Sequence, residues 1–197
     1  MNYYILSDQG RPEEPGECRM EHAQPYRLTS VARSCPTCGE PLEPARWDAP
    51  HRAEISGSHC GDLIPGAGFE MIVSRTAWVH LEACGITGWE LSGVLEARLD
   101  REYVVVRPHV SVTRLDETRS RLVWVRPPSC ETCRLGVRER VGPVIFDPAT
   151  LDGTDIFVPS GAYGLKVVTE KFKRCIERNG LERFRLIAAD SYREDGS

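Results

Sequence analysis

A short run, Cys35-Pro36-Thr37-Cys38-Gly39, returns 95 residues later as Cys130-Glu131-Thr132-Cys133-Arg134. Two CxxC pairs far apart in a chain are the commonest way for a soluble protein to present four thiolates to one zinc ion. A CxxC turn sets both sulfurs on one side of a tight loop and leaves backbone N–H groups free to point at them. Gly39 suits the turn that follows. Cys35, Cys38, Cys130 and Cys133 are therefore the expected metal ligands, with zinc the expected ion. A closed S₄ set would also fasten two stretches of chain that loop entropy otherwise keeps apart.

The same offset recurs outside the cysteines. Met71-Ile72-Val73 reads as a strand, Ser74 as an N-cap, and residues 75–84 as a helix closed by Gly85. Ala77, Trp78, Leu81 and Cys84 fall on one face of that helix. Val167-Val168, Thr169, a helix over about 170–179 and Gly180 repeat the scheme, with Phe184-Arg185-Leu186 in the place of Trp89-Glu90-Leu91. Val73 and Val168, Glu82 and Glu177, Gly85 and Gly180, and Leu91 and Leu186 are all 95 apart. This predicts an internal repeat, roughly 30–94 and 125–189, within one domain spanning 1–197. The fold class expected is α+β: two strand–helix–strand units, mixed sheet and much loop, stapled by a knuckle-like tetra-Cys site.

Elsewhere the pattern is weaker. Residues 3–6 read as a strand, 11–24 as a loop holding Cys18 and His22, and 26–31 as extended. Prolines 41, 44 and 50 and the glycines of 57–68 make that region irregular. The connector, 95–124, is β-rich. Strands are expected at 103–106 and 109–112, broken by Arg107-Pro108, and at 122–125, with a last one at 144–146.

Composition narrows the function classes. No apolar run approaches the ~20 residues of a membrane span. The start, Met1-Asn2-Tyr3-Tyr4, lacks the layout of a signal peptide, so a cytoplasmic location is expected. In that compartment eight cysteines point to metal or buried thiols rather than disulfides, and Cys84 and Cys175 to packing. A net charge of −4 argues against bulk attraction to nucleic acid. Ten Arg against six acids between Arg98 and Arg140 form the one local excess. No nucleophile–base–acid set, phosphate loop or carboxylate pair stands out, which fits a binding protein better than an enzyme.

The cysteines have other readings. A once metal-bound fold can keep them as buried thiols, and Arg134 stands where the first motif has Gly39. A thiol–disulfide oxidoreductase would want the first Cys at a helix N-terminus. A zinc deaminase would pair His80-Leu81-Glu82 with Cys130 and Cys133, leaving Cys35 and Cys38 unused. A ligand set with Cys18, Cys60 or His59 has no spacing behind it. Trp47, Trp89 and Trp124 are core residues or interface anchors.

The chain resembles the double-CxxCG motif proteins of myxobacteria, a family that includes immunity proteins of the swarming-inhibition toxin system. The resemblance rests on Cys35-Pro36-Thr37-Cys38-Gly39-Glu40-Pro41 and Cys130-Glu131-Thr132-Cys133-Arg134-Leu135-Gly136. It continues through Asp155-Ile156-Phe157 and Leu165-Lys166-Val167-Val168-Thr169-Glu170, and an Arg-heavy composition (22 of 25 basic residues) is consistent with it. It implies a cytoplasmic antitoxin that neutralises a cognate protein toxin by occlusion, with the cysteines as zinc ligands or scaffold. The alternatives are a zinc-ribbon-like nucleic-acid-binding regulator and, last, a zinc hydrolase or deaminase.

Overall fold

The computed structural model describes residues 2–7, 16–24, 28–29, 33–140 and 142–193. In chain order the elements are β1 (Tyr3–Ser7), β2 (Arg19–Gln24), β3 (Leu28–Thr29), β4 (Arg46–Trp47), β5 (His51–Ser56), β6 (Leu63–Ile64), β7 (Met71–Ser74) and α1 (Arg75–Ala83). They continue with β8 (Trp89–Glu96), β9 (Tyr103–Val110), β10 (Val123–Arg126), β11 (Val137–Arg140), β12 (Ile156–Val158), β13 (Val167–Thr169), α2 (Glu170–Arg178) and β14 (Arg185–Ala188). A ten-stranded mixed sheet runs β14-β1-β13-β12-β9-β8-β5-β2, with β7 also on β9 and β6 on β7. Two small antiparallel ribbons, β3–β4 and β10–β11, stand apart from it. This is an α+β fold with much loop.

Both helices start and stop by the rules their sequences carry. Ser74 Oγ accepts from Ala77 N at 3.0 Å and Thr169 Oγ1 from Phe172 N at 3.5 Å, each capping a free first-turn N–H. At the far ends Gly85 (φ 66°) and Gly180 (φ 60°) take the left-handed conformation. There Ile86 N bonds Leu81 O and Leu181 N bonds Ile176 O, closing the last turn in the same way twice. The helices lie on one face of the sheet, where Ala77, Leu81, Phe172 and Ile176 pack on Trp89, Val104, Val106 and Val168. The other face is covered by β2 and β5 with Trp47 at one end, and by Leu115, Val144 and Phe146 at the other.

One pairing scheme occurs twice. Leu63 faces Val73 across β6–β7, and Ile156 faces Val168 across β12–β13. Beside Asp62, Ser74 donates its N–H to the backbone carbonyl and its hydroxyl to the carboxylate (2.9 and 2.6 Å). Thr169 does the same to Asp155 (2.9 and 3.0 Å). Each aspartate also reaches across to the other unit: Asp62 Oδ2 accepts from Glu182 N and Asp155 Oδ2 from Thr87 N, and 182 − 87 is again 95. Burial disfavours the Asp155 carboxylate, but Lys171, Thr169 and Thr87 outweigh that and hold it below the usual carboxylate range.

Matching strand pairings also occur outside 30–94 and 125–189. Tyr3 pairs with Thr169 and Leu6 with Leu186, whereas Tyr103 pairs with Ser74 and Val106 with Leu91. The strand preceding each strand–helix–strand unit therefore lies against the other unit. β1 joins β13 and β14, and β9 joins β7 and β8.

Several local expectations need correction. Residues 19–24 form β2, and β5 runs through a stretch expected to be irregular. The two pair antiparallel, with Met20, Ala53 and Ile55 turned inward and charged residues between them turned out. β9 is unbroken at Pro108. On one edge β7 stops at Val106 and β12 starts at His109, so Pro108 falls in a gap where no N–H is required. Residues 144–146 form no strand, and Phe146 makes an isolated bridge to Leu115. Of the loop and extended segment expected over 11–31, residues 11–15, 25–27 and 30–31 lie outside the described residues.

The cysteines outside the motifs are not buried thiols but two disulfides, Cys18–Cys60 and Cys84–Cys175, with Cα atoms 4.8 and 6.3 Å apart. Sequence spacing marks only local pairs, and these pairs meet through folding. The packing of α1 on α2 puts Cys84 beside Asn179 and Cys175 beside the His80 carbonyl, which brings the two sulfurs into reach. Among the described residues no helix is long and apolar enough to cross a membrane.

Candidate metal centre

Each CxxC pair lies in the loop of a two-stranded ribbon, 35–38 between β3 and β4 and 130–133 between β10 and β11. The turns close identically. Gly39 N donates to Cys35 O at 2.9 Å and Arg134 N to Cys130 O at 2.8 Å. Gly39 has φ 77° and Arg134 φ 52°, so the second turn keeps the left-handed residue without the glycine. For a side-chain-bearing residue this costs roughly 1–2 kcal/mol. Arg134 also makes solvent-exposed ion pairs to Glu117 (2.5 Å) and Glu131 (2.9 Å), the first of which ties the turn to the connector.

The ribbons meet so that residues 95 apart touch. Cys35 Sγ lies 3.8 Å from Cys130 Sγ, Cys38 Sγ 3.6 Å from Cys133 Sγ, and the Thr37 and Thr132 hydroxyls 2.8 Å apart. All four sulfurs fall within 4.8 Å of one another. A tetrahedron with Zn–S bonds of about 2.3 Å has S···S edges of about 3.8 Å. The cluster thus has the size and donor set of a tetrathiolate metal site. Cys35, Cys130 and Cys133 are buried and Cys38 is exposed. His80 and Glu82 lie on α1 and are no part of the cluster, and Cys18 and Cys60 are spent on their disulfide.

The sulfurs are electrostatically unequal. The N–H groups of Cys38 and Thr37 hold the Cys35 thiol below its ordinary value, and that of Cys133 helps bring Cys130 down to about 6. At Cys38 the Glu40 N–H pulls downward, but burial and the neighbouring sulfurs prevail and push it up to about 12. Burial also raises Cys133, against the Leu135 N–H. Metal ligation requires thiolates. Cys38 and Cys133 keep their protons near neutral pH in the metal-free chain, so metal binding is expected to release at least two protons there. Affinity should therefore fall as pH falls. Calorimetric metal titrations in two buffers of different ionisation enthalpy measure this, and release of fewer than one proton would contradict the assignment.

Sequence reasoning missed what anchors the ribbons. Arg107 on β9 is buried, pairs with buried Glu70, and donates to Pro44 O at 2.6 Å, just beyond the first knuckle. Its guanidinium stacks over Phe69, 4.4 Å from the ring centre. Tyr163 OH donates to Leu42 O at 2.7 Å, and Arg114 reaches Thr132 O at 3.4 Å. Arg107 had only its place in a β-rich stretch to mark it, which gives no sign of burial. The Thr37–Thr132 contact was within reach, since it shares the 95-residue offset. Trp47 and Trp89 are buried in the core, and Trp124 is half-buried beside Gly136.

No model of a known protein family matches the chain, and no curated protein matches it.

Proposed function

We propose that the chain is a non-enzymatic binding protein of the immunity class, which neutralises a cognate bacterial toxin by stoichiometric occlusion. One structural zinc would be held by Cys35, Cys38, Cys130 and Cys133. The observation behind this reading is the all-thiolate cluster. Four protein sulfurs fill a tetrahedron and leave no open position for water or substrate, which is the arrangement of a scaffold site. Zinc there would supply cross-linking and charge neutralisation, with the chain's own N–H groups steadying the sulfurs. The repeated pairing scheme supports an ancient duplication in which each half gave one CxxC turn. The immunity role itself rests on the resemblance of the two motifs.

The second ribbon also offers material for an interface. Val125 and Val137 are 67% and 44% exposed, beside exposed Arg126. Co-expression with the toxin-like product of an adjacent gene tests the reading, scored for survival and co-purification. Rescue with a stable complex is expected. Val125→Glu with Val137→Glu should weaken the complex at least tenfold while metal content stays unchanged. A toxic neighbour that is neither bound nor neutralised would rule the role out.

A second reading has one observation in its favour: two CxxC knuckles on two ribbons are the layout of a zinc ribbon, and Arg119, Arg121 and Arg126 are exposed nearby. Nucleic-acid binding of that kind would weaken steeply with salt and with loss of those arginines.

A further inference from the structure

We infer that the bound metal guards the four cluster thiols, so that this chain carries two disulfides and a reduced thiolate centre together in an oxidising compartment. The inference rests on the metal reading above and adds to it a redox setting and a protective role.

The structure holds two kinds of cysteine side by side. Cys18–Cys60 and Cys84–Cys175 are bridged, at Cα separations ordinary for disulfides. Such bonds form and persist in oxidising surroundings and are rare in a reducing cytosol. Cys35, Cys38, Cys130 and Cys133 remain thiols in the same molecule. Their sulfurs stand 3.6 Å (Cys38–Cys133) and 3.8 Å (Cys35–Cys130) apart, and Cys38 is open to solvent. Thiols this close, with Cys38 open to attack, do not survive the conditions that form the two bridges unless something occupies their lone pairs. A metal ion does so.

The unguarded reaction is thiol–disulfide exchange with a low-molecular-weight disulfide such as oxidised glutathione. The exposed Cys38 sulfur, as its proton passes to solvent, attacks one glutathione sulfur, forming a mixed disulfide and expelling a glutathione thiolate. Cys133, 3.6 Å away, loses its proton in turn, attacks the Cys38 sulfur and expels the second glutathione. Two protein thiols lose two electrons, the glutathione disulfide gains them, and the two thiol protons end on the two glutathiones. Metal ligation withholds the sulfur pair from the first step. It also sorts the cysteines: eight can pair in about 105 ways, but four can pair in only about three.

The test uses the full chain secreted into the bacterial periplasm, its metal content measured, then exposed to oxidised glutathione with and without prior chelation. Thiols are counted by iodoacetamide labelling and intact mass after unfolding. The metal-loaded chain is expected to keep its four cluster thiols, and the stripped chain to lose them at least tenfold faster. In stripped chain, Cys38→Ser should slow that loss, because the exposed nucleophile is gone. Equal rates with and without metal would overturn the inference and leave the metal site standing. So would eight labelled cysteines in freshly purified, metal-loaded protein. A chain that purifies without metal and binds none would remove the metal reading as well.

Discussion

Stripping the metal is expected to melt the two ribbons and leave the ten-stranded sheet folded. The ribbons cannot hold themselves. β3 and β4 have two residues each and β10 and β11 four, and an isolated hairpin is marginal in water. The apolar material around the cluster is Cys35, Cys130 and Cys133 with Leu42 and Leu135, separate from the three larger groups that bury the sheet. Zinc in small all-protein sites supplies roughly 10–16 kcal/mol of apparent binding free energy, and in a module this small that is its folding energy. The sheet draws on other sources: helices packed over Val104 and Val168, and the reciprocal Asp62 and Asp155 contacts. After chelation, amide protection should vanish across 33–43 and 123–140 and persist at Val73, Val104 and Val168. Cys35→Ser with Cys130→Ser should give the same exchange pattern without chelator and no stoichiometric zinc. Loss of the whole sheet in one transition with the metal would contradict the division, as would full zinc retention in the double variant.

The parts of this architecture legible in the sequence are those written in short spacings. Ser74 and Thr169 announce helix starts, Gly85 and Gly180 helix ends, and the shared offset alone relates Cys35 to Cys130. That offset also foreshadows contacts such as Thr37 to Thr132. What stayed hidden was set by partners far away in sequence. β2 and β5 read as loop because their outward residues are charged and their inward ones few, and pairing with each other and of β5 with β8 makes them strands. Pro108 reads as a break, yet it sits where neighbouring strands change over. The exchange of β1 and β9 between units lies beyond periodicity altogether, since a strand's sequence does not name its partner. The disulfides escaped for the same reason, compounded by reading the cysteine state from an expected compartment.

Arg107→Met alone is expected to cost about 3–5 kcal/mol, because it leaves the Glu70 carboxylate buried without its cation. Both side chains are only 3% exposed. Glu70 would keep one weak contact, from Trp47 N at 3.3 Å, and the Pro44 carbonyl would lose its donor. Arg107→Met with Glu70→Leu removes both charges and fills similar volume, so most of the loss should return. Arg107→Lys should fall between, since a single ammonium cannot serve Glu70, Pro44 and Phe69 together as the planar fork does. Urea midpoints measure these differences, and a double variant no better than Arg107→Met would show that the pair is not an isolated charge problem. Metal affinity should behave differently. The link from β9 to the loop after the first knuckle is absent in the single and the double variant alike, so both should bind zinc more weakly even where the sheet is as stable as before. If restoring stability restored zinc affinity in full, Arg107 would act on the metal centre only through global folding. If it does not, the buried arginine is the joint through which the sheet positions the ribbon.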